Sequence, residues 1–325
     1  MKENSNKNKL KDFLSANPQK WYSGNDLAQA LAISRTAIWK LIKQLSQEGL
    51  EIQSRHHLGY RLLLSDHLNK TWIAKKIKKD LPPSRLFIFP TIDSTNIFAK
   101  REISEHNDRI VIVIADRQTE GHGRFQRKFY SPAKSGLYLS IAIPLKGDQT
   151  VSAGLLTTAT AVAVGRSIKE VFGVQLDYKW VNDLYLSERK VGGILTEAIT
   201  DFESNSISSL VVGIGLNLSL DQNELPIDLR DKIAGIAENG QEKRNQIAAA
   251  VINNFFKLFK NYQDGRFLDE YRKNSFLIGR KIQAHSGQRT VAGTAIAIDD
   301  QGSLIILEEN KKIKIQSGEV TKVDF

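Results

Sequence analysis

Apolar positions recur at helical spacing three times in the first fifty residues, and each recurrence predicts a short helix. The inward-facing positions, in chain order, are Leu10, Phe13 and Leu14, then Leu27, Ala30 and Leu31, then Ile38, Leu41, Ile42 and Leu45. We expect the first helix over residues 8–17. Ser23 and Ser34 stand at the N-cap positions of the second and third helices, and Gly49 ends the third helix after Glu48.

A hairpin pattern follows these helices. Residues 50–52 alternate between apolar and polar, residues 55–57 form a polar tip, and residues 59–62 return as a second strand. Three helices and a hairpin are the layout of a winged helix-turn-helix, whose third helix enters the major groove of DNA. The pattern therefore predicts a DNA-binding domain at this end of the chain.

The third predicted helix carries polar side chains on the face opposite its apolar stripe. Together with one residue of the hairpin, the residues expected to contact DNA are Arg35, Thr36, Trp39, Lys40, Lys43 and Arg55. We expect the first turn of the helix to meet base edges, and Lys40, Lys43 and Arg55 to bind phosphates. The competing interpretation is a small helical domain used for protein contacts. The position of the cations opposite the apolar stripe favours DNA.

Charge and composition support this interpretation. The chain of 325 residues has a formal net charge of +10, and residues 1–80 hold 15 lysines and arginines against 7 acidic residues. At 41% hydrophobic and 25% charged residues it has the composition of a globular protein, and its length predicts two or three domains. With no cysteine, disulfides, cysteine-bound zinc and thiol nucleophiles are excluded. We expect a cytoplasmic protein with no signal peptide and no membrane partner.

Strands alternate with helices beyond a short amphipathic helix at 65–79 and the pair Pro82–Pro83. The expected strands are residues 86–89, 109–115, 137–143, 175–180, 184–185, 191–198 and 209–218. A turn at 93–96 caps an expected helix that runs through Arg101, and two further helices are expected at 151–171 and 245–262. This pattern predicts an α/β (α+β) domain with a mixed sheet. From about Phe276 the chain is β-rich, with strands expected at 281–284, 289–298, 303–308 and 312–315.

Four segments place glycine and polar residues within otherwise apolar strands or between them. They are residues 93–96 (DSTN), 118–128 (QTEGHGRFQRK), 179–185 with 190–195 (KWVNDLY and KVGGIL) and 212–217 (VGIGLN). Taken alone, each is a helix cap, a flexible basic loop or a weakened strand. Glycines permit close backbone approach, and the three cations of the second segment suit an anionic ligand. Together the four segments predict a ligand lying across the sheet.

At these residues the chain resembles the bifunctional biotin protein ligases that double as biotin-operon repressors. The resemblance is carried by DSTN, by GHGRFQRK followed by Ser131–Pro132, by KWVND with RKVGGIL, and by GIGLN. It covers essentially the whole chain. The parts that it implies are a winged helix-turn-helix over 1–66, a linker helix over 67–84, a mixed-sheet ligase domain of the biotin/lipoate ligase type over 85–274, and an SH3-like β-barrel over 275–325.

The resemblance implies a two-step reaction that uses biotin, ATP and Mg²⁺. Biotin and ATP give biotinyl-5′-adenylate and pyrophosphate, and a lysine of the biotin carboxyl carrier protein of acetyl-CoA carboxylase then takes the biotin. The protein contributes mainly orientation and charge stabilisation. The resemblance also implies that adenylate favours a homodimer, which sets two winged helices at the spacing of a palindromic operator DNA and represses genes of biotin synthesis.

The resemblance assigns roles to residues of the four segments. The residues implied for biotin are Ser94, Thr95, Asn96, Gln118, Gly121, His122, Gly123, Arg124, Lys190, Gly192 and Ile194, of which the first three would hydrogen-bond the ureido ring. The residues implied for ATP are Arg124, Arg127, Lys128, Asn182, Lys190 and Asn217. Arg124 and Lys190 would act as catalytic residues by holding phosphate and carboxylate oxygens. Asp183 would orient magnesium or the attacking lysine, and no protein ligand set for a metal is assigned.

The chain departs from the family pattern at two places. The ligand loop more usually reads GRGRxGR, whereas here His122 replaces an arginine and Gln126 replaces a glycine, which predicts a less cationic and less mobile loop. The segment 218–240 lacks an aromatic residue that would stack on adenine. Leu225 or Ile227 could cover the base instead.

Three questions stay open at this point. The nearer alternative is a lipoate–protein ligase, against which the KWxND and GGIL motifs and both flanking domains count. The other is a non-enzymatic regulator that senses a small ligand. Lys179, Lys190 and Arg124 count against it, because a sensor for neutral biotin would not need three cations. The C-terminal domain either stabilises its neighbour or acts directly on ATP or the carrier protein.

Overall fold

The computed structural model describes residues 2–17, 19–47, 50–63, 67–145, 151–201 and 206–323. Its α-helices are α1 (Lys2–Ala16), α2 (Gly24–Leu31), α3 (Arg35–Gln47), α4 (Lys70–Lys76), α5 (Thr95–Glu105), α6 (Ala153–Phe172), α7 (Arg244–Phe259) and α8 (Leu268–Lys273). Its strands are β1 (Ile52–Arg55), β2 (Gly59–Leu62), β3 (Ser84–Ile92), β4 (Ile110–Gln118), β5 (Gly136–Pro144), β6 (Asp177–Lys179), β7 (Asp183–Leu186), β8 (Arg189–Asp201), β9 (Ser206–Asn217), β10 (Lys281–Ser286), β11 (Arg289–Ile298), β12 (Leu304–Glu308), β13 (Lys311–Ile315) and β14 (Glu319–Val323). Within these ranges, no helix has the length and apolar character that crossing a membrane requires.

Three of the sequence predictions fall outside the described residues. They are the end of the third helix at Glu48 and Gly49, the start of the linker helix at Ser65, and the domain boundary at residue 66.

The three N-terminal helices and the β1–β2 hairpin pack around a small apolar core of their own. Its buried members are Leu10, Leu14, Tyr22, Leu27, Ile38, Leu41, Ile42, Leu45 and Leu62. A capping box starts α2: the Ser23 hydroxyl accepts from the Asp26 amide at 3.1 Å, and the Asp26 carboxylate accepts from the Ser23 amide at 3.2 Å. Ala30, predicted to face inward, is exposed. Ala28 packs on the core instead, because it lies beside Leu27 on the face that α2 turns inward.

The linker helix α4 is shorter than the 65–79 expected from its apolar spacing. It begins after Asn69, whose side-chain oxygen accepts the Trp72 amide at 3.0 Å. It ends at Ile77, which has extended backbone angles. Trp72 and Ile73 are buried in the large core of the central domain, so this helix packs as part of that domain.

A seven-stranded mixed sheet forms the centre of the molecule, in the order β3-β4-β5-β9-β8-β7-β6. Only β3 and β4 pair in parallel, and the remaining neighbours in this sheet are antiparallel. Helix α5 covers one face together with a small cluster that includes Val111, Val113, Ala142 and Val211. The opposite face carries the large core and is covered by α6 and α7. We refer to the first as the α5 face.

The C-terminal domain is a five-stranded antiparallel sheet in the order β13-β12-β11-β10-β14. Strand β14 and helix α8 were not predicted. Only Val320 and Val323 of β14 are apolar, and α8 spans six residues, so neither shows a full period. A turn at 300–302 joins β11 to β12 and is closed by the Asp299 carboxylate, which accepts from the amides of Gln301 and Ser303 at 2.9 and 2.8 Å. This turn contacts the central domain, because its Gly302 carbonyl accepts from the Trp180 indole at 2.9 Å.

Candidate active site

A cavity opens on the α5 face of the central sheet, where the long loop between β4 and β5 folds over β8 and β9. Strand register places Gly193, Gly213 and Gly215 on this face, since Gly193 pairs with Gly215 and Gly213 pairs with Leu195. Three glycines on one face leave the sheet without side chains there. The floor of the cavity is therefore backbone.

Two of these glycines make room for other side chains of the protein. A Cβ atom at Gly213 would lie 2.4 Å from Oδ1 of Asn96, and one at Gly215 would lie 2.6 Å from the Phe129 ring. Asn96 and Phe129 thus lie directly on the sheet. The glycines of the GIGLN motif are required by these two neighbours, which the sequence alone did not indicate.

One end of the cavity is a neutral hydrogen-bonding network at the start of α5. The Gln118 side-chain oxygen accepts from the Thr95 amide at 2.8 Å and from the Thr95 hydroxyl at 3.0 Å. The Ser140 hydroxyl lies 2.7 Å from the Thr95 hydroxyl and 2.6 Å from Oδ1 of Asn96. Ser94, Thr95 and Asn96 are nearly fully buried, and the network fixes the orientation of Thr95 and Asn96 away from solvent.

A carboxylate anchors this network from β8. The Asn96 side-chain amide donates to Glu197 at 2.7 Å, and the other Glu197 oxygen pairs with Lys100 at 2.6 Å. This bond assigns the nitrogen of Asn96 to Glu197 and leaves its oxygen facing Ser140. Neither Ser140 nor Glu197 was a predicted site residue. The period-two alternation of β5 and β8 places both on the α5 face, so strand register was the signal that could have found them.

The other end of the cavity is cationic, and Arg124 lies at its centre. The loop is closed on itself by Gly123 donating to the Arg127 carbonyl and Phe129 donating to the Gly121 carbonyl, both at 2.8 Å. Arg124 begins a short 3₁₀ turn, and its guanidinium donates to the Gly318 carbonyl at 2.6 Å. Burial lowers the pKa of Arg124, although Glu319 and Asp183 oppose this shift.

The Gln126 position has the backbone conformation that explains the family's usual glycine. Both Phe125 and Gln126 have φ of +57°, in the left-handed region that glycine adopts most readily. Gln126 keeps this conformation despite its side chain. The aromatic ring of Phe125 projects into solvent, 67% exposed, with the guanidinium of Arg124 5.2 Å from its centre.

Lys190 and Asp183 form an ion pair at 2.6 Å beside Arg124. Asp183 also accepts from the Asn182 side chain at 3.2 Å. Burial lowers the pKa of Lys179, and Asp183 opposes the shift while the positive charge of Lys190 adds to it. These cations are held close together and partly buried, so a bound anion would offset part of their cost.

Segment 218–240 runs beside Lys190. The Lys190 amide donates to the Lys232 carbonyl at 2.9 Å, and the Ala234 amide donates back to the Lys190 carbonyl at 3.0 Å. Leu225 is buried, whereas Ile227 is 83% exposed. Of the two residues considered for covering adenine, Ile227 is therefore the one with a free apolar surface.

The C-terminal domain contributes to the cationic end. Glu319 lines the cavity and pairs with Arg127, and the adjacent Gly318 carbonyl accepts from Arg124. Sequence reasoning left open whether this domain acts directly at the site. Glu319 lies on the short strand β14 and Gly318 directly precedes it, nearly 200 positions along the chain from the loop. The weak apolar pattern of this strand gave no sign that it reaches the site.

Most predicted site residues line this one cavity. They are Ser94, Thr95, Asn96, Gln118, His122, Gly123, Arg124, Arg127, Lys128, Asn182, Asp183, Lys190 and Ile194. Lining residues that were not predicted are Phe125, Phe129, Tyr138, Gly193, Leu195, Gly213, Ile214, Gly215 and Glu319.

Three predicted residues lie away from the cavity lining. Gly121 lies behind it, because a Cβ there would be 2.7 Å from the Ser131 hydroxyl. Gly192 is directed to the opposite face, where a Cβ would be 2.6 Å from the Gly215 carbonyl, and its neighbour Gly193 faces the cavity instead. Asn217 is buried at the end of β9. Ile194 lines the cavity, although its side chain is a member of the large core.

The residues predicted to contact DNA are all exposed on the surface of the N-terminal domain. Arg35, Thr36, Trp39, Lys40 and Lys43 are exposed on α3, and Arg55 is exposed at the end of β1. Trp39 is 54% exposed, and the Lys43 ammonium lies 5.6 Å from the centre of its ring. An exposed tryptophan on a helix that also presents arginine and lysine is typical of an interaction surface.

Comparison with known proteins agrees with this architecture. Residues 88–217 match the biotin/lipoate A/B protein ligase family, residues 6–61 match an HTH domain, and residues 277–323 match the biotin protein ligase C-terminal domain. The bifunctional ligase/repressor BirA of Bacillus subtilis (strain 168) is 30% identical over 315 residues, which cover 94% of each chain. This chain belongs to the biotin/lipoate protein ligase family.

Two further proteins are similar to this chain in sequence or in fold. The bifunctional ligase/repressor BirA of Escherichia coli (strain K12) is 29% identical over 297 residues, 90% of each chain. The solved structure of the biotin protein ligase from Aquifex aeolicus in complex with biotin and ATP aligns with a TM-score of 0.58 and 25% identity, covering 73% of this chain and 97% of that one. The mixed-sheet fold and the three-part organisation of the family are therefore present here.

Proposed function

We propose that this chain is an ATP-dependent biotin–protein ligase that also represses transcription. The observation that carries the proposal is a single cavity with a neutral hydrogen-bonding end at Ser94–Asn96 and a cationic end at Arg124 and Lys190. Biotin has the matching polarity, with a neutral ureido ring at one end and a carboxylate at the other. A nucleotide phosphate would join that carboxylate at the cationic end.

The neutral end would bind the ureido ring. Thr95 and Asn96 are already oriented by Gln118, Ser140 and Glu197. A buried polar ring needs a partner for each donor and acceptor, and a missing partner costs about 1–3 kcal/mol. Gly213 and Gly215 let Asn96 and Phe129 lie directly on β9, where both would border the bicyclic ring.

The cationic end would support adenylation and transfer. In the first step a biotin carboxylate oxygen attacks the α-phosphorus of ATP, and the bond to the pyrophosphate leaving group breaks. In the second, the amine of a carrier lysine attacks the acyl carbon, AMP leaves, and the amine loses a proton. Arg124 and Lys190 neutralise the oxygens on which negative charge accumulates in both steps. The protein supplies position and charge because the mixed anhydride is itself reactive.

Magnesium would enter with ATP as part of the substrate. Mg²⁺ at phosphate-transfer sites is held by one or two carboxylates plus substrate phosphates, and Asp183 and Glu319 are carboxylates that line the cavity. Among the described residues no three acidic or histidine side chains gather into a resident metal site. Asp183 and Glu319 would orient a magnesium ion that the nucleotide brings.

Operator DNA, a carrier protein and a second copy of the chain complete the proposal. The exposed face of α3 would bind operator DNA, and the carrier would be the biotin carboxyl carrier protein of acetyl-CoA carboxylase. Adenylate would favour a homodimer, which carries two DNA-binding domains and can therefore contact both halves of an operator. The relatives that are named as both ligase and repressor support pairing the two activities in one chain.

Biotin-dependent exchange of labelled pyrophosphate into ATP tests the catalytic proposal. Exchange with biotin, and none with lipoate or octanoate under the same conditions, is the expected result. Exchange with lipoate would move the substrate to the neighbouring branch of the family. No exchange with any of the three acids would leave a ligand sensor without ligase activity, which is the alternative that the DNA-binding domain favours.

A further inference from the structure

The first residues of α7 contact both the strand ends that flank the loop over the cavity and the segment that leads to the DNA-binding domain. Arg244 and Asn245 are consecutive, and both are buried, with exposed fractions of 0% and 5%. Neither residue lines the cavity or lies on the α3 surface. A buried arginine and asparagine side by side are costly unless both are fully used.

Arg244 ties together the two strands from which the ligand loop springs. Its Nη1 lies 2.6 Å from the Asp116 carboxylate near the end of β4, and its Nε donates to the Gly136 carbonyl at the start of β5, at 2.9 Å. Asp116 also accepts from the amide of Lys134 in the loop, at 2.9 Å. Any change in the loop that shifts these strand ends must therefore move or break the contacts of Arg244.

Asn245 holds the other connection. Its side-chain oxygen accepts from the Asn69 amide at 2.7 Å, and its side-chain amide donates to the His67 carbonyl at 2.8 Å. Asn69 is the N-cap of α4, and its own side-chain amide donates to the buried Ser15 hydroxyl in α1 at 2.8 Å. Two hydrogen-bond steps thus lead from α7 into the DNA-binding domain.

An open cleft lies beside this junction. It has a volume of about 650 Å³ and is lined by residues of α1, α4 and β3 and by Asp116. Because the cleft separates the DNA-binding domain from the sheet edge on that side, the hydrogen bonds through Asn69 and the bond from Thr71 to Asp12 at 2.8 Å define the orientation of α1 on α4.

We infer that Arg244 and Asn245 form a link through which the state of the ligand loop sets the orientation of the DNA-binding domain. Arg244 positions the base of the loop, and Asn245 positions the linker. As neighbours at one rigid helix end, the two cannot shift independently. The inference deepens the proposed function and rests on it, because it places part of the coupling between adenylate and operator within one chain in addition to any coupling through a dimer.

Asn245→Ala tests the link, and Asn253→Ala is its matched control. Asn253 bonds the far end of α4 from the same helix, accepting from the Lys78 amide at 2.9 Å and donating to the Lys76 carbonyl at 3.0 Å. Within the described part of the chain, it makes no hydrogen bond to α1. The measurement is the ratio of operator affinities with and without biotin plus ATP, with pyrophosphate exchange and self-association followed in the same samples.

We expect Asn245→Ala to reduce the ratio of operator affinities by at least about fivefold, the lower end of the range for coupling between sites. Pyrophosphate exchange and self-association should stay at wild-type values. Asn253→Ala should keep the wild-type ratio. A wild-type ratio in Asn245→Ala overturns the inference. Equal losses in both variants also overturn it, because docking of α4 would then explain the effect.

A second experiment needs neither ligand nor DNA. Asp116→Asn keeps the shape of the side chain and removes the charge that Arg244 pairs with. We expect amide hydrogen exchange in residues 67–76 to become several-fold faster than in wild type, with β11 and β12 of the C-terminal domain as the internal reference for folding. Asp183→Asn, at the cavity but off the link, should leave residues 67–76 unchanged.

The hydrogen-exchange experiment distinguishes failure of the link from failure of the proposed function. Faster exchange at 67–76 in a protein that neither adenylates biotin nor binds operator would leave the link standing and remove the proposed function. Unchanged exchange at 67–76 relative to the reference strands would remove the link, whatever ligand the cavity takes.

Discussion

At the scale of single residues, Arg124 lies between the cavity and the C-terminal domain. It donates to the Gly318 carbonyl, and burial lowers its pKa. A half-buried guanidinium that lines the cavity, held by a backbone carbonyl, is placed to bind an anion there. We therefore propose Arg124 as the group that retains the adenylate.

Arg124→Gly is expected to release biotinyl-adenylate and to label lysines on unrelated proteins. Removing one member of a buried charged contact costs about 2 kcal/mol or more, which corresponds to roughly 30-fold faster dissociation. Release is measured by trapping free adenylate, and labelling by probing a mixture of carrier and bystander protein with streptavidin. If the variant labels only the carrier, Arg124 is not the retaining group.

Gly213→Ala is expected to disturb the ureido end of the cavity. The new Cβ would lie 2.4 Å from Oδ1 of Asn96, so Asn96 must move away from Ser140 and Glu197. We expect the KM for biotin to rise on the order of 10- to 100-fold with little change in the KM for ATP. Gly154→Ala in α6 is the control, since its nearest neighbour lies 3.8 Å away. Equal biotin KM values in the two variants would contradict this arrangement.

Site residues were predictable where a single continuous segment holds the motif and also reaches the cavity. Residues 94–96 of the DSTN turn and residues 122–124 of the loop line the cavity, and so does Asp183 beside Lys190. Gly192 was chosen over Gly193 because the motif gives no strand register, and register decides which glycine faces the cavity. Ser140 and Glu197 carry no motif and can be found only from strand register. Glu319 belongs to the C-terminal domain, so only the folded structure brings it to the cavity.

At the scale of elements, the turn between β11 and β12 connects the C-terminal domain to the site. Asp299 closes the turn, and Gly302 in that turn accepts from Trp180, next to Lys179 in the KWVND segment. Burial raises the pKa of Asp299, but its bonds from Lys314, Ser303 and Gln301 outweigh burial and leave the pKa below its ordinary value. The ionised carboxylate is therefore the form that stabilises the turn.

Asp299→Asn is expected to destabilise the C-terminal domain by about 1.5–3 kcal/mol at pH 7, the range for hydrogen bonds to a charged group. Because the folded pKa is lowered, this contribution is fully present above the unfolded value near 3.8 and is lost as pH falls through the folded value. Thermal unfolding from pH 7 down to pH 3 should show the difference between variant and wild type shrinking only below about pH 4.

Asp300→Asn is the matched control for this prediction. Asp300 is adjacent, is 92% exposed and pairs with Arg272 at the surface, so its loss should cost less than about 1 kcal/mol. A pH-independent loss in Asp299→Asn, or the same loss in Asp300→Asn, would assign the effect to the turn sequence and not to the carboxylate.

Elements with a strong apolar period were predictable, and elements held by distant partners were not. The stripe of α3 and the buried runs of β4, β5 and β9 all lie where expected. Helix α4 is cut short at Asn69 because its cap is fixed by Asn245, 176 positions along the chain. Strand β14 has little period of its own and exists because β10 pairs with it.

At the scale of the whole molecule, two separate hydrophobic cores support the two proposed functions, DNA binding and biotin ligation. The core that contains Ile38 and Leu41 supports the α3 surface, and the core beneath the central sheet supports the cavity. Changes on the α3 surface should therefore leave the catalytic reaction intact. This separation allows DNA binding and adenylation to be tested independently in the same full-length protein.

Adenylate is expected to strengthen operator binding, and Lys43→Ala is expected to weaken it without affecting pyrophosphate exchange. Lys43 is exposed beside Trp39, so its loss should lower the slope of log affinity against log salt by about one phosphate contact. Gel shifts across a salt series, with and without biotin plus ATP, measure both effects together. Shifts of equal strength in the two conditions would show that DNA binding is not controlled by the ligand, even if the slope changes as expected. A slope unchanged by Lys43→Ala would instead remove this face of α3 from the DNA interface, and the adenylate effect would then have to act through another surface of the chain.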